Sequence, residues 1–189
     1  ANRGRRNPMT FLYNIIRIFL IGGALTFAGS QHSIALEGIP LFAICALVAV
    51  VVQWIVFVPS YLLQTEHYYD LTGSITYVSV VIIALSLGQA SAVQIVLGAL
   101  ISLWALRLGS FLFWRVKKQG KDSRFDGKKE QLSWFFTAWT MQGLWVLITA
   151  GAALAAMTTQ QEVSWHWMTT TGLVVWLFGF SVEVIADQQ

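Results

Sequence analysis

Two acids, a histidine and two tyrosines crowd into one eleven-residue run, Gln64-Thr-Glu-His-Tyr-Tyr-Asp-Leu-Thr-Gly-Ser74. Carboxyl, imidazole and phenol groups are the side chains that move protons or hold hydrogen bonds to a reacting oxygen. This run lies between two long apolar stretches, where polar groups are costly and usually functional. Further charge sits inside apolar sequence. Arg107 precedes Arg115 by eight residues, which puts it roughly 12 Å below the end of a helix rising about 1.5 Å per residue. At that depth a guanidinium is expected to face the interior and to pair with an acid or an anionic ligand. Glu183 and Asp187, four residues apart, share one helix face and repel unless a cation or hydrogen-bond donors lie between them. A metal held by these two carboxylates lacks a nearby histidine, so pairing with Arg107, Arg115 or the basic loop is the expectation, and no metal is expected.

The elements that position these groups are set by composition. Of 189 residues, 56% are hydrophobic and 11% charged, with a mean hydropathy of +0.63. Soluble domains carry about 25% charged residues, so this chain reads as a membrane protein. Six apolar segments approach the ~20 residues needed to span hydrocarbon as helix: 10–30, 41–63, 75–88, 93–115, 132–157 and 170–186. The third reaches full length by borrowing 71–74. The expected fold is an all-α polytopic bundle forming one transmembrane domain over 1–189, without repeats or linkers. Cys45 is the single cysteine and lies in an apolar run, which excludes an internal disulfide.

Lysine and arginine orient the bundle. Arg3, Arg5 and Arg6 precede the first segment, and Arg115, Lys117, Lys118, Lys121, Arg124, Lys128 and Lys129 follow the fourth. The alternate connections have none. The positive-inside bias therefore places the N-terminus, 64–74, the basic loop and Asp187 on the cytoplasmic side of a bacterial inner membrane. The net charge of +3 is explained by this topology and by attraction to membrane lipids, not by nucleic acid. Trp114, Trp134, Trp165 and Trp167 fall near segment ends, where indoles favour the interface. Arg17 is expected to snorkel to the headgroups, and His32 and His166 to be ordinary loop residues. No glycine-rich nucleotide motif occurs.

A set of motifs resembles one family. They are Tyr69-Asp-Leu-Thr-Gly-Ser-Ile-Thr-Tyr77, Leu106-Arg-Leu-Gly-Ser-Phe-Leu-Phe-Trp-Arg115 with Gly120-Lys-Asp-Ser-Arg-Phe125, Gln142-Gly-Leu-Trp145, and Gly179-Phe-Ser-Val-Glu-Val-Ile-Ala-Asp-Gln-Gln189. In this order they resemble bacterial membrane proteins allied to the steroid 5-alpha-reductases, over most of the chain from about residue 55. The resemblance implies a reductase that uses NADPH from the cytosolic side to reduce a double bond conjugated to a carbonyl in a steroid- or isoprenoid-like lipid. Glu66 or Asp70, with Tyr68 or Tyr69, would donate the hydrogen bond that holds the developing oxyanion, which a carboxyl can do only when burial keeps it protonated. Lys121 and Arg124 fall where the family's loop approaches the cofactor. Glu183 and Asp187 fall at polar cofactor contacts, and Arg107 is a further candidate contact. Two departures accompany the likeness. No tyrosine lies in 93–115, where the steroid reductases carry a catalytic one, and the family's Ser-Arg-His-Pro-Asn-Tyr-type segment is not found. The expectation is therefore the N-terminal part of a longer reductase-like protein. The rival reading is a small non-enzymatic subunit packed against a larger membrane complex.

Overall fold

The computed structural model describes residues 8–187 and is built from six long helices. They are α1 (Pro8–Ser30), α2 (Leu41–Leu62), α3 (Tyr69–Leu87), α4 (Ala92–Gln119), α5 (Leu132–Thr158) and α6 (Trp167–Ala186). Each is long and apolar enough to cross a membrane. The chain is thus an all-α, multi-pass membrane protein. Arg3, Arg5 and Arg6 lie outside the described residues.

Helices α2, α3 and α5 meet at the centre, because their facing positions are small or β-branched. Cys45, Ala46 and Ala49 of α2, Val80 and Ala84 of α3, and Val146 and Ala150 of α5 are all buried in one cluster. Without a hydrophobic drive between helices in lipid, close packing of small residues holds such a bundle together. Gly143 shows how close. A Cβ there would lie 3.0 Å from the Ala49 carbonyl oxygen. Between α3 and α4 the approach is tighter still, since a Cβ on Gly109 would overlap Ser74. In contrast, no described residue of α6 is buried.

Three boundaries differ from those read from hydropathy. Helix α3 begins at Tyr69, two residues before the 71–74 flank that the third segment borrows, because polar side chains find partners inside the fold. Thr72 Oγ1 donates to the Tyr68 carbonyl at 2.6 Å, and Gln142 Nε2 donates to the Tyr69 carbonyl at 3.0 Å. Helix α4 continues past Arg115 to Gln119, with Lys117 and Lys118 in a last turn that favours cations, and ends on left-handed Gly120. Helix α6 starts at Trp167 because His166 caps it, its Nδ1 accepting from the Met168 N–H.

One end of the bundle is tied by neutral hydrogen bonds. A two-stranded hairpin, β1 (Ala35–Leu36) and β2 (Ile39–Pro40), turns on Glu37 and Gly38, both at positive φ. It is stitched to the end of α5 by Ile34 N–H to the Thr158 carbonyl at 2.7 Å and Gln160 N–H to the His32 carbonyl at 2.8 Å. At the same end Ser91 and Gln94 form a capping box, and Gln94 Nε2 also donates to the Ala156 carbonyl at 2.9 Å. The opposite end carries the basic loop.

Candidate functional site

Two ionic clusters lie toward the basic end. The first joins α3 to the loop 120–131. Asp70 sits in the first turn of α3 and accepts from Arg124 Nη2 at 2.6 Å. Asp122 accepts from Arg124 Nε at 2.8 Å and also pairs with its Nη2. Asp122 in turn donates its backbone N–H to Glu66 at 3.2 Å, and Lys129 Nζ lies 2.7 Å from the other Glu66 oxygen. The loop is therefore folded onto the bundle rather than a free polybasic tail. Phe125 anchors it, buried against Tyr69 at 4.9 Å and Trp134 at 5.5 Å between ring centroids.

These contacts decide protonation. Burial on its own would raise the Glu66 pKa, but the hydrogen bonds from Lys129 and the Asp122 N–H outweigh it and leave the carboxyl below its ordinary value. Asp122 behaves alike: burial raises its pKa, and Arg124 brings it below normal. The Arg124 guanidinium is held charged, first by the Asp122 hydrogen bonds and then by Asp70. Hydrogen bonds from Lys129 and the Asp122 N–H thus favour the ionised form of Glu66, which does not suit the neutral-donor role the resemblance offered to Glu66 or Asp70. Asp70 faces the Arg124 guanidinium.

The second cluster latches α6 to α4. Arg107 Nη1 donates to Glu183 at 2.7 Å, and Nη2 pairs with Asp187. Trp104 Nε1 donates to the second Glu183 oxygen at 3.0 Å. Phe111 and Phe180 flank the guanidinium at 5.9 and 5.8 Å. The expected interior pairing of Arg107 with these two acids is what the fold contains.

Three spaces surround the clusters. A cavity of about 340 Å³ lies among α3, α4 and α5, with Tyr69, Asp70, Ser74 and Arg124 at one end and Tyr77, Trp104 and Trp145 along its walls. A second, of about 410 Å³, lies among α4, α5 and α6 and also touches Tyr77 and Trp104. A wide notch of about 1020 Å³ runs between the ends of α4 and α6, lined by Trp114, Arg115, Lys117, Lys118 and Asp187. A further apolar gap of about 510 Å³ among α1, α2 and α5 is lined by no charged residue.

The candidates from sequence therefore separate. Asp70, Tyr69 and Arg124 share the first cavity. Glu183 lines the second and Asp187 the notch, so the acids of α6 share no space with Asp70 and Arg124. Tyr69 Oη is committed as donor to the Ala138 carbonyl at 2.9 Å. Tyr68 is exposed and stacks on Phe113. Lys121 is exposed and paired with Asp126 at 2.6 Å, which raises its pKa. Sequence reasoning passed over Tyr77, Trp104 and Gln142, which line the first cavity, although Tyr77 and Gln142 lie in the quoted motifs. Among the described residues, no group of three His, Cys, Asp or Glu could hold a metal.

The fold and these clusters define a polytopic helical membrane protein with polar groups gathered in and beside intramembrane cavities. Residues 54–189 match the family described as Protein of unknown function (DUF1295), and the chain belongs to that family. Comparison with the curated proteins and with the solved structures gives no match.

Proposed function

We propose that this chain is the membrane-embedded part of an NADPH-dependent reductase acting on a conjugated double bond in a lipid-like substrate, with its basic end at the cytoplasmic face of a bacterial inner membrane. The observation that carries the reading is the Asp70–Arg124 pair at one end of a mainly apolar cavity of about 340 Å³. Apolar walls take a lipid-like body, and a few placed polar groups orient its functional end.

Arg124 is the group suited to hold a carbonyl oxygen. Its Nε and Nη2 are used by Asp122 and Asp70, while Nη1 makes no hydrogen bond among the described residues. A charged donor beside an oxygen that gains negative charge stabilises it, and the Arg124 side chain, half exposed, stands at the open end of the cavity. Asp70 and Asp122 position that guanidinium. When bound, the nucleotide supplies the hydride. Its phosphates need cations not already neutralised by carboxylates. Arg115, Lys117 and Lys118 around the notch meet that need, whereas Arg107 and Lys121 are paired with acids. Asp187, on the same notch, suits a ribose or amide group.

The test is nucleotide affinity of the purified protein. NADPH is expected to bind more tightly than NADH, and Lys117→Ala with Lys118→Ala is expected to erase most of the difference. Equal affinity for both nucleotides, or no binding, rejects the reductase and favours the subunit reading. That alternative has one specific support: α6 presents Val174, Val175, Phe178 and Ile185 outward, a surface another membrane helix could cover.

A further inference from the structure

We infer that the two intramembrane cavities form one track for a single flexible hydrocarbon chain with an uncharged, oxygen-bearing end. The inference deepens the reductase reading by naming the substrate class, and it rests on that reading only for what happens after binding.

The two cavities abut along two helices. Leu112 and Met141 line the first cavity, Leu97 and Ala153 the second, and Tyr77 and Trp104 line both. From Leu97 to Leu112 is fifteen residues of α4, or roughly 22 Å of helix. That is a long, thin space. At its middle the Tyr77 and Trp104 rings meet edge to face, 5.1 Å between centroids. Both are tied down. Tyr77 Oη is 2.5 Å from Thr149 Oγ1, and Trp104 Nε1 donates to Glu183. This aromatic sill cannot swing aside without breaking those bonds. A flexible chain can lie across it, while a rigid fused-ring body long enough to fill both cavities would have to displace it.

Charge decides the end group. Asp70 and Arg124 are the charged pair that lines this end of the cavity, and Asp122 holds the same guanidinium from outside it. An anionic headgroup would have to compete with Asp70 and Asp122 for a guanidinium both already hold, and is disfavoured. A neutral carbonyl or hydroxyl can accept from the unused Arg124 Nη1. At the far end Glu183 adds no free charge, since its oxygens are taken by Arg107 and Trp104. The remainder of the second cavity is largely Leu, Ile, Ala and aromatic surface, suited to a hydrocarbon tail.

The experiment uses the full chain in nanodiscs without nucleotide. The probe is a long linear enone bearing a diazirine at its tail, and crosslinks are mapped by mass spectrometry. The expected result is labelling centred on Ala153, Trp176 and Phe180. An unlabelled long enone should compete better than the fatty acid of equal length and better than a fused-ring enone. Ala153→Trp should weaken long-chain binding by roughly tenfold or more, the loss expected when about two methylenes are denied their site, and leave a short-chain enone unaffected. Leu97→Trp, filling the same space from the opposite wall, guards against a folding defect in the first variant. The inference is overturned if both variants keep long-chain affinity, if the fatty acid or fused-ring compound competes equally, or if labelling spreads over the lipid-facing surface. Because nucleotide is omitted, failure of NADPH to bind would sink the reductase without touching this result.

Discussion

Replacing Arg107 with methionine should loosen α6, and the cost can be worked from the geometry. Arg107 makes two charge-assisted hydrogen bonds, to Glu183 and to Asp187. Fully desolvated, each such bond contributes roughly 1.5–3 kcal/mol. The three side chains keep 21%, 35% and 24% of their surface exposed, so solvent screens them. Discounting each bond to about 1 kcal/mol gives ~2 kcal/mol for the pair. Without Arg107 the two acids, one helical turn apart, repel by a further ~0.3 kcal/mol. The expected destabilisation is about 2–2.5 kcal/mol, against a helix with no buried residue to compensate. Unfolding in mixed micelles, followed by a spin label on α6, measures it. The triple variant Arg107→Met, Glu183→Gln, Asp187→Asn should recover more than half the loss, because it removes the orphaned charges. A single variant within about 0.5 kcal/mol of the parent, or a triple variant no better than the single, would refute the latch.

Gly109→Ala should cost about 1–3 kcal/mol by forcing α4 away from Ser74, and Ser74→Gly in the same chain should restore most of it in the same unfolding assay. The Glu66 carboxyl titrates below its ordinary value, so the stability it contributes is full above the unfolded pKa of about 4.3 and fades as pH falls through the lower folded value. Limited proteolysis should accordingly find 120–131 protected near neutral pH and cut as the medium drops below about pH 4, while Lys129→Met should be cut already at neutral pH. Single cysteines at Gln31 and Lys121, added beside the buried Cys45, should label from opposite sides of the membrane; labelling of Lys121 from the periplasm would overturn the proposed orientation.

Helix number and type were legible because uninterrupted apolar length is a strong signal and lipid leaves the backbone little choice. The pairing of Arg107 was legible for the same reason, since a charge at that depth requires a partner. The start of α3 was not. Tyr69 and Asp70 read as a polar connection, and their partners on α5 and the basic loop hold them in the helix. The split between the two clusters was also hidden, because sharing one end of a bundle says nothing about which helices lie between. Lys121 and Arg124 look equivalent in sequence. Asp126 captures one and Asp70 the other, and that choice depends on the turn at Ser123–Phe125.

The two ends of the bundle respond to different variables. The hairpin end is closed by amide-to-carbonyl bonds between uncharged groups, which added salt scarcely affects. The basic end is closed by pairs of opposite charge, several of them partly exposed, which ionic strength weakens. The molecule therefore resembles tongs with a fixed pivot and electrically held tips. Raising ionic strength is therefore expected to loosen the basic end before the hairpin end.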